Sequence, residues 1–186
     1  MDRLKAAKAR LRTKIRGALA KIRPAARRKR SRAIVLKVLR DKKFQSARGI
    51  LIFMASPREV DTRALVRQAL QQGKIIYLPR VNPKTGRLDI YRIKNLTGLR
   101  RGAFNIWEPQ PIASRKAGAG DPELWIIPGV AFDAKGRRLG QGGGHFDRLL
   151  ARVPPRRILA LAFREQKISK VPSGKRDRRA GKVITG

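Results

Sequence analysis

The residues best suited to chemistry lie together: Gly140-Gln-Gly-Gly-Gly144, with Arg138 and Leu139 just before and His145, Phe146 and Asp147 just after. Glycines lack the side chains that block close approach. Successive backbone N–H groups can therefore turn toward phosphate oxygens, and a helix beginning after them adds its positive end. Arg138 offers a planar guanidinium that can hold two phosphate oxygens at once, and Asp147 offers an oxygen to a hard divalent cation such as Mg²⁺. The pattern predicts a phosphate cradle, although an ordinary flexible loop carries the same glycine run. The chain has no cysteine, so it has no disulfide and no thiolate ligand, and any metal must use oxygen or the single histidine, His145.

The elements around this segment follow from hydrophobic period. Leu4, Ala7, Leu11, Ile15, Leu19 and Ile22 recur every three to four positions and predict an amphipathic helix that Pro24 interrupts. A second helix fits residues 25–39, with Ile34, Val35, Val38 and Leu39 inside and the run Arg27-Arg28-Lys29-Arg30 outside, either as a solvated face or as a nucleic-acid patch. Apolar runs at 49–54, 74–79, 124–128 and 157–163 predict buried strands. Residues 62–72 predict a helix capped by Asp61 or Thr62 and ended before Gly73. Residues 82–86 have turn chemistry between two extended runs, and a short helix begins near Phe146. Residues 114–120 are the one small-residue stretch.

Strands alternating with helices predict an α/β fold: an open, largely parallel sheet flanked by helices on both faces. The expected organisation is a single domain over residues 1–186, with helices of residues 3–40 packed on it. Ligands in such sheets bind beyond the carboxyl ends of the strands, so the loops after Met54, Pro128 and Phe163 are the places to look.

Charge is the outlying number: 47 Lys and Arg against 12 Asp and Glu give +35 at pH 7. Polyanions bind such a surface without sequence preference, so composition by itself suggests non-specific nucleic-acid binding. No run of apolar residues is long enough to span a membrane and no signal core follows the first charges, so a soluble, cytoplasmic protein, expected as a monomer, fits.

The motifs taken together resemble the 5-formyltetrahydrofolate cyclo-ligase family. The resemblance rests on Pro128-Gly-Val-Ala-Phe-Asp133, then Arg138-Leu-Gly-Gln-Gly-Gly-Gly144, an aromatic pair and Asp147-Arg148. Lys8-x-x-Leu11-Arg12, Phe53-Met-Ala-Ser-Pro-Arg-Glu-Val-Asp-Thr62, Leu78-Pro-Arg80, Phe104-Asn-Ile-Trp-Glu-Pro109 and Ala160-Leu-Ala-Phe-Arg-Glu-Gln166 continue it in order, from about residue 5 to 186.

The resemblance implies an ATP-dependent conversion of 5-formyltetrahydrofolate to 5,10-methenyltetrahydrofolate, with Mg²⁺ as cofactor and ATP as co-substrate. It implies Lys8 and Arg12 on the ATP phosphates, and Arg138, Leu139, Gly140, Gln141, Gly142, Gly143, Gly144, His145 and Phe146 as the nucleotide loop, with Arg138 catalytic. Met54, Glu59 and Phe104 fall on the folate, together with Gln141, Gly142, Gly143, Gly144 and His145, while Asp147 and Asp177 fall at the magnesium positions. Read without the resemblance, Met54 suits core packing equally well, and Glu59 could cap the helix after Asp61. His145 stands where the family usually has tyrosine and is expected to stack and donate a hydrogen bond, not to act as a general base. Gly181 and Gly186 stand where the family usually has carboxylates. Two further readings follow: a nucleic-acid-binding protein on the same scaffold, or a catalytically impaired nucleotide or folate binder.

Overall fold

The computed structural model describes residues 3–112 and 115–186; the first two residues and the start of the small-residue stretch lie outside the described residues. Helix α1 (Arg3–Ala20) and helix α2 (Pro24–Leu39) meet at Pro24, whose fixed φ suits the first turn of α2 and whose missing N–H would break the last turn of α1. A five-residue helix α3 (Lys42–Ser46) follows, capped by Asp41, whose carboxylate accepts from Lys43 N at 3.0 Å.

Eleven strands and two more α-helices follow among the described residues: β1 (Gly49–Ile52), then α4 (Arg63–Gln71), β2 (Ile75–Val81), β3 (Leu88–Ile93), β4 (Arg100–Arg101), β5 (Trp107–Glu108), β6 (Lys116–Ala117), β7 (Leu124–Ile127), β8 (Ala131–Phe132), β9 (Arg138–Leu139), α5 (His145–Leu149), β10 (Ile158–Ala162) and β11 (Lys182–Thr185). Seven of them form the main sheet, in the order β11-β10-β7-β1-β2-β3-β6. The strands from β11 to β2 run parallel; β3 returns antiparallel to β2 through the turn at Asn82 and Gly86. Asn82 Oδ1 accepts from Lys84 N and Thr85 N, and Gly86 takes φ +62°, so the predicted turn chemistry is what closes this hairpin.

The central strands are buried along their whole length because apolar layers cover both faces. One layer joins Ile15, Leu19, Ile34, Val38, Leu65 and Val66 of helices α1, α2 and α4 to Ile50, Ile52, Ile126 and Leu159. The other joins Leu51, Trp125, Ile127 and Ile158 to Leu150, Val153 and Ala180, with Leu149 of the short helix α5 packed alongside. Helices thus lie on both faces, unequally: four on one side, one short helix and loops on the other.

Thr62 is the N-cap of α4, but its hydroxyl does not cap the helix. It donates to Phe53 O at 2.6 Å and pins the loop after β1, while Asp61 Oδ1 accepts from Arg63 N instead. Gly181 and Gly186 both have tight neighbours: a Cβ on Gly181 would collide with the Pro155 carbonyl, and one on Gly186 would come 2.8 Å from Ile34 Cγ1.

Asp133 ties three segments together. Its carboxylate accepts from Lys135 N, Arg137 N, Arg137 Nε (2.6 Å) and Val171 N (2.9 Å), and its side chain is almost wholly buried. Desolvation pushes this carboxyl up, but the bonds from Val171 and Arg137 outweigh it and hold it below the usual carboxylate range. Its stabilising contribution is therefore present above the unfolded pKa and lost as pH falls through the folded one. Asp133→Ala should cost about 3 kcal/mol at neutral pH, read from urea midpoints, because it leaves Arg137 and a buried amide unpaired. The gap to the parent protein should close as the pH falls below the carboxylate range; a gap independent of pH would contradict this role.

Candidate active site

A cleft of about 580 Å³ opens at the carboxyl ends of β1, β2 and β7. Strand β1 sits between β7 and β2, so the chain leaves it in one direction and later returns on its other side, which is where open parallel sheets bind ligands. The walls are mainly apolar, with Phe53 and Met54 after β1, Pro79 and Val81 in β2, and Pro128 and Val130 after β7.

Glu59 enters the cleft from the loop that Thr62 pins. Its Oε2 accepts from Ser56 N at 2.9 Å, so it closes its own turn and does not cap α4. Burial pushes its carboxyl above the usual range, and hydrogen bonds from Ser56 and Gln141 only partly oppose that. Phe104 forms the opposite wall. It is 73% exposed, and both it and Asn105 lie at φ +57°, a conformation that side-chain-bearing residues seldom adopt. His145 meets its ring edge-on, with centroids 6.1 Å apart.

The glycine segment runs along the rim. Strands β8 and β9 form a small antiparallel pair that delivers Arg138 to the floor of the cleft. Gly142 (φ +120°) and Gly144 (φ +64°) need the freedom of glycine, and a Cβ on Gly143 would press within 2.7 Å of His145 Nε2. Among the described residues, the backbone bonds made by residues 140–144 use carbonyl oxygens, those of Gly140, Gln141 and Gly144. None is donated by their N–H groups. That is the condition a phosphate cradle requires. Helix α5 has only five residues, so most of the attraction must come from these amides and nearby cations, not from a long helix dipole.

Those cations come from α1. Lys8, Arg12 and Arg16 are spaced four apart, so they share one side of the helix. Arg12 Nε donates to Gly140 O at 2.8 Å, and Arg16 Nη2 donates to Gln141 Oε1 at 2.8 Å. A guanidinium can only donate, which fixes the orientation of the Gln141 amide: its oxygen faces Arg16 and its NH₂ is left to face Glu59. Lys8 Nζ holds both oxygens of Asp177, at 2.8 and 2.6 Å. Burial and the neighbouring Arg16 lower the pKa of Arg12, while Asp177 and Asp147 oppose the shift, so positive charge is crowded against two carboxylates at the loop.

Arg138 is 4% exposed. Its Nη2 donates to Asp147 Oδ1 at 2.7 Å, its guanidinium lies 5.9 Å from the Phe146 ring, and its buried Nε has no partner. The guanidinium therefore keeps unspent hydrogen-bonding capacity beside the cleft. Asp147 Oδ1 also accepts from Arg178 N, so both described bonds of this carboxylate fall on one oxygen.

The predicted residues divide between the cleft lining and its immediate surroundings. Met54, Glu59, Phe104, Arg138, Gly140, Gln141, Gly143, Gly144, His145, Phe146 and Asp147 all line the cleft. Leu139 does not: its side chain is 1% exposed inside the core, so only its backbone is available to a ligand. Gly142 faces Arg12 instead of the cleft, and Asp177 with Lys8 joins the cluster on α1's side of the loop. Gly181 and Gly186 are not among the lining residues, so the two carboxylates missing there are missing away from the cleft. Sequence reasoning overlooked Arg16, Arg58, Glu108 and Gln166. Glu108 is buried, accepts from Val81 N at 3.3 Å and lies 3.8 Å from Arg80. Its signal was the Glu-Pro pair in the quoted motif; Arg16 was hidden among many other cations.

A sequence profile of the 5-formyltetrahydrofolate cyclo-ligase family matches residues 4–186. The chain belongs to that family. The mouse 5-formyltetrahydrofolate cyclo-ligase is 28% identical over 188 residues, which cover 96% of this chain and 93% of the mouse protein. The mitochondrial cyclo-ligase of Arabidopsis thaliana is 32% identical over 78% of this chain and 58% of its own. In structure, the 5,10-methenyltetrahydrofolate synthetase of Aquifex aeolicus superposes with a TM-score of 0.84 at 28% identity, covering 96% of this chain and 89% of that one. No helix among the described residues is long and apolar enough to cross a membrane.

Within this cyclo-ligase fold, Glu59 is a desolvated acid whose folded pKa is raised. Its ionisation therefore opposes folding: stability falls as pH rises from the unfolded to the folded pKa and stays reduced above it. Glu59→Gln should raise the melting temperature of the ligand-free protein at neutral pH, and the gain should vanish in acid. An unchanged melting temperature at neutral pH would show that the carboxylate is not desolvated.

Proposed function

We propose that the chain converts 5-formyltetrahydrofolate and ATP to 5,10-methenyltetrahydrofolate, ADP and phosphate. One observation carries the proposal: the glycine segment, with its undonated amides, borders the same cleft as Met54, Glu59 and Phe104. A phosphate cradle and an aromatic-walled apolar slot within one cavity suit two substrates that must meet.

The formyl oxygen is a poor leaving group. Its attack on the γ-phosphorus releases ADP and converts it to a phosphate ester, after which N10 attacks the formyl carbon, phosphate departs and the N10 proton is lost to the phosphate or to water. Neither step needs a side-chain nucleophile. The protein must align the formyl oxygen with the phosphorus and neutralise charge on the transferred group. We assign the second task to the amides of residues 140–144 and the cations Lys8, Arg12 and Arg138. We assign Met54, Phe104, His145 and Phe146 to the flat ring system and Glu59 to its polar edge.

Asp147 and Asp177 fit a magnesium ion that arrives with the nucleotide. A hard cation of this kind is held by one or two carboxylates together with phosphate oxygens and water, and no cage of three or more acids or histidines exists among the described residues. Bound there, the ion would neutralise charge on the phosphates. Arg138 and Lys8 now occupy the two carboxylates, so on this reading nucleotide binding lets both cations turn from Asp147 and Asp177 toward phosphate oxygens.

The assay is growth of methenyl-folate absorbance with nuclease-treated protein. It should require both ATP and 5-formyltetrahydrofolate, and no growth with pure protein would sink the proposal. Arg138→Ala should lower kcat/KM by about 10²-fold or more, as expected for removal of a preorganised charge at a phosphoryl group. A loss of less than about threefold would remove Arg138 from the machinery.

A further inference from the structure

We propose that helices α1, α2 and α3 form a docking face for the phosphate backbone of duplex nucleic acid, separate from the folate and nucleotide cleft. Residues 3–48 present fourteen exposed Lys and Arg side chains, and their one acid, Asp41, is buried and bonded to Lys182. The acids that are exposed among the described residues are Asp121 and Glu123; Glu123 accepts from Arg48 N at 3.1 Å, so it borders this surface beyond the end of α3.

The cations are ordered as well as numerous. Arg3, Arg10, Lys14 and Lys21 recur at intervals of seven, four and seven, which puts them within about 40° of one another around the helix axis. That row lies roughly opposite Arg12, so α1 carries one cationic row facing the glycine loop and another facing solvent. On α2, Arg28 and Arg32 continue the exposed set. Arg27 donates to Leu19 O at 2.6 Å and fastens the start of α2 to the end of α1, so the two sets keep a fixed relation. None of these exposed cations takes part in the eight described ion pairs, so their charge is available.

The chemistry of the face selects the occupant. Leu36 is the only large apolar side chain it exposes, which leaves nothing to insert into a bilayer. Single strands bind through aromatic platforms, and the one strongly exposed aromatic, Phe104, belongs to the cleft. What remains is a rigid row of Lys and Arg about 27 Å long, suited to the closely spaced, regular charge of a duplex and to no particular base sequence.

The test is fluorescence anisotropy with a labelled RNA duplex of about 20 base pairs, the matching single strand and phosphatidylserine vesicles. Affinity for the duplex should fall about 10³-fold between 50 and 200 mM salt, as for roughly six phosphate contacts. Replacing Arg10, Lys14, Arg28 and Arg32 with Gln should lower the slope of log K against log salt by about 3 to 4. The same loss of charge at Lys84, Arg87, Arg92 and Lys94, near the β2–β3 hairpin, should leave it within about one of the parent value. Equal weakening by both sets would reduce the effect to net charge and overturn the face. Tighter binding to the single strand or to vesicles, or no duplex binding near 150 mM salt, would overturn the occupant.

Discussion

The contact on which the rest of the site depends is the one between α1 and the glycine segment. Residues 140–144 have almost no side chains with which to fix themselves, and two of the glycines adopt left-handed backbone. Arg12 and Arg16 supply the missing anchorage by donating to Gly140 O and to Gln141. Because carbonyls are the atoms held, the amides are left facing outward. The helix that orders the loop also supplies its cations, and through the Gln141 amide the same contact reaches Glu59 across the cleft. The helix that packs on the domain thus also borders the cleft, through Arg16 and Leu19.

Acidic groups are scarce in this chain, and where they stand shows what they are for. Eight of the twelve take part in described ion pairs, and several join segments distant in sequence: Asp177 to Lys8, Glu165 to Arg30, Asp41 to Lys182. Asp133 fastens the turn of the β8–β9 hairpin to residue 171. Self-repulsion among 47 cations favours expansion, so internal carboxylates that are already paired give the compact state a local counter-charge. Glycine at 181 and 186 fits this economy, since neighbouring atoms close both positions to a side chain and neither lines the cleft.

Much of this architecture is legible in the residues themselves. The stripe through Ile15 and Leu19, the run at 49–54, the helix before Gly73 and the Asn82 turn all exist, because each is a local signal that the tertiary fold has no reason to override. Helix α3 and the pair β8–β9 were not legible: five residues and two residues are too few to show a period, and they persist through Asp41, Asp133 and the packing around them. The glycine loop could be named from type and spacing, whereas Glu59 and Phe104 could be named only through the family resemblance. Arg16 could not, because in a stretch so rich in bases only three-dimensional placement separates a cation that touches the cleft from one that touches water. Leu139 is a different case, a position inside the motif whose side chain the β8–β9 pleat turns into the core, which leaves its backbone alone for a ligand.

Phe104 and Asn105 hold an unfavourable backbone on the cleft's open side. The turn is braced by Arg101, which donates to the Asn105 carbonyl and lies 4.4 Å from the Trp107 ring. Conformations of this kind cost of order 1–3 kcal/mol per residue and last only where the surroundings enforce them. Here they keep a phenyl ring standing in water opposite an imidazole, with its hydrophobic contact area unused. The rings stand edge to face at 63° with centroids 6.1 Å apart, which leaves no slot between them, so a guest that recovers this area must lie on the open face of the phenyl ring or displace the imidazole.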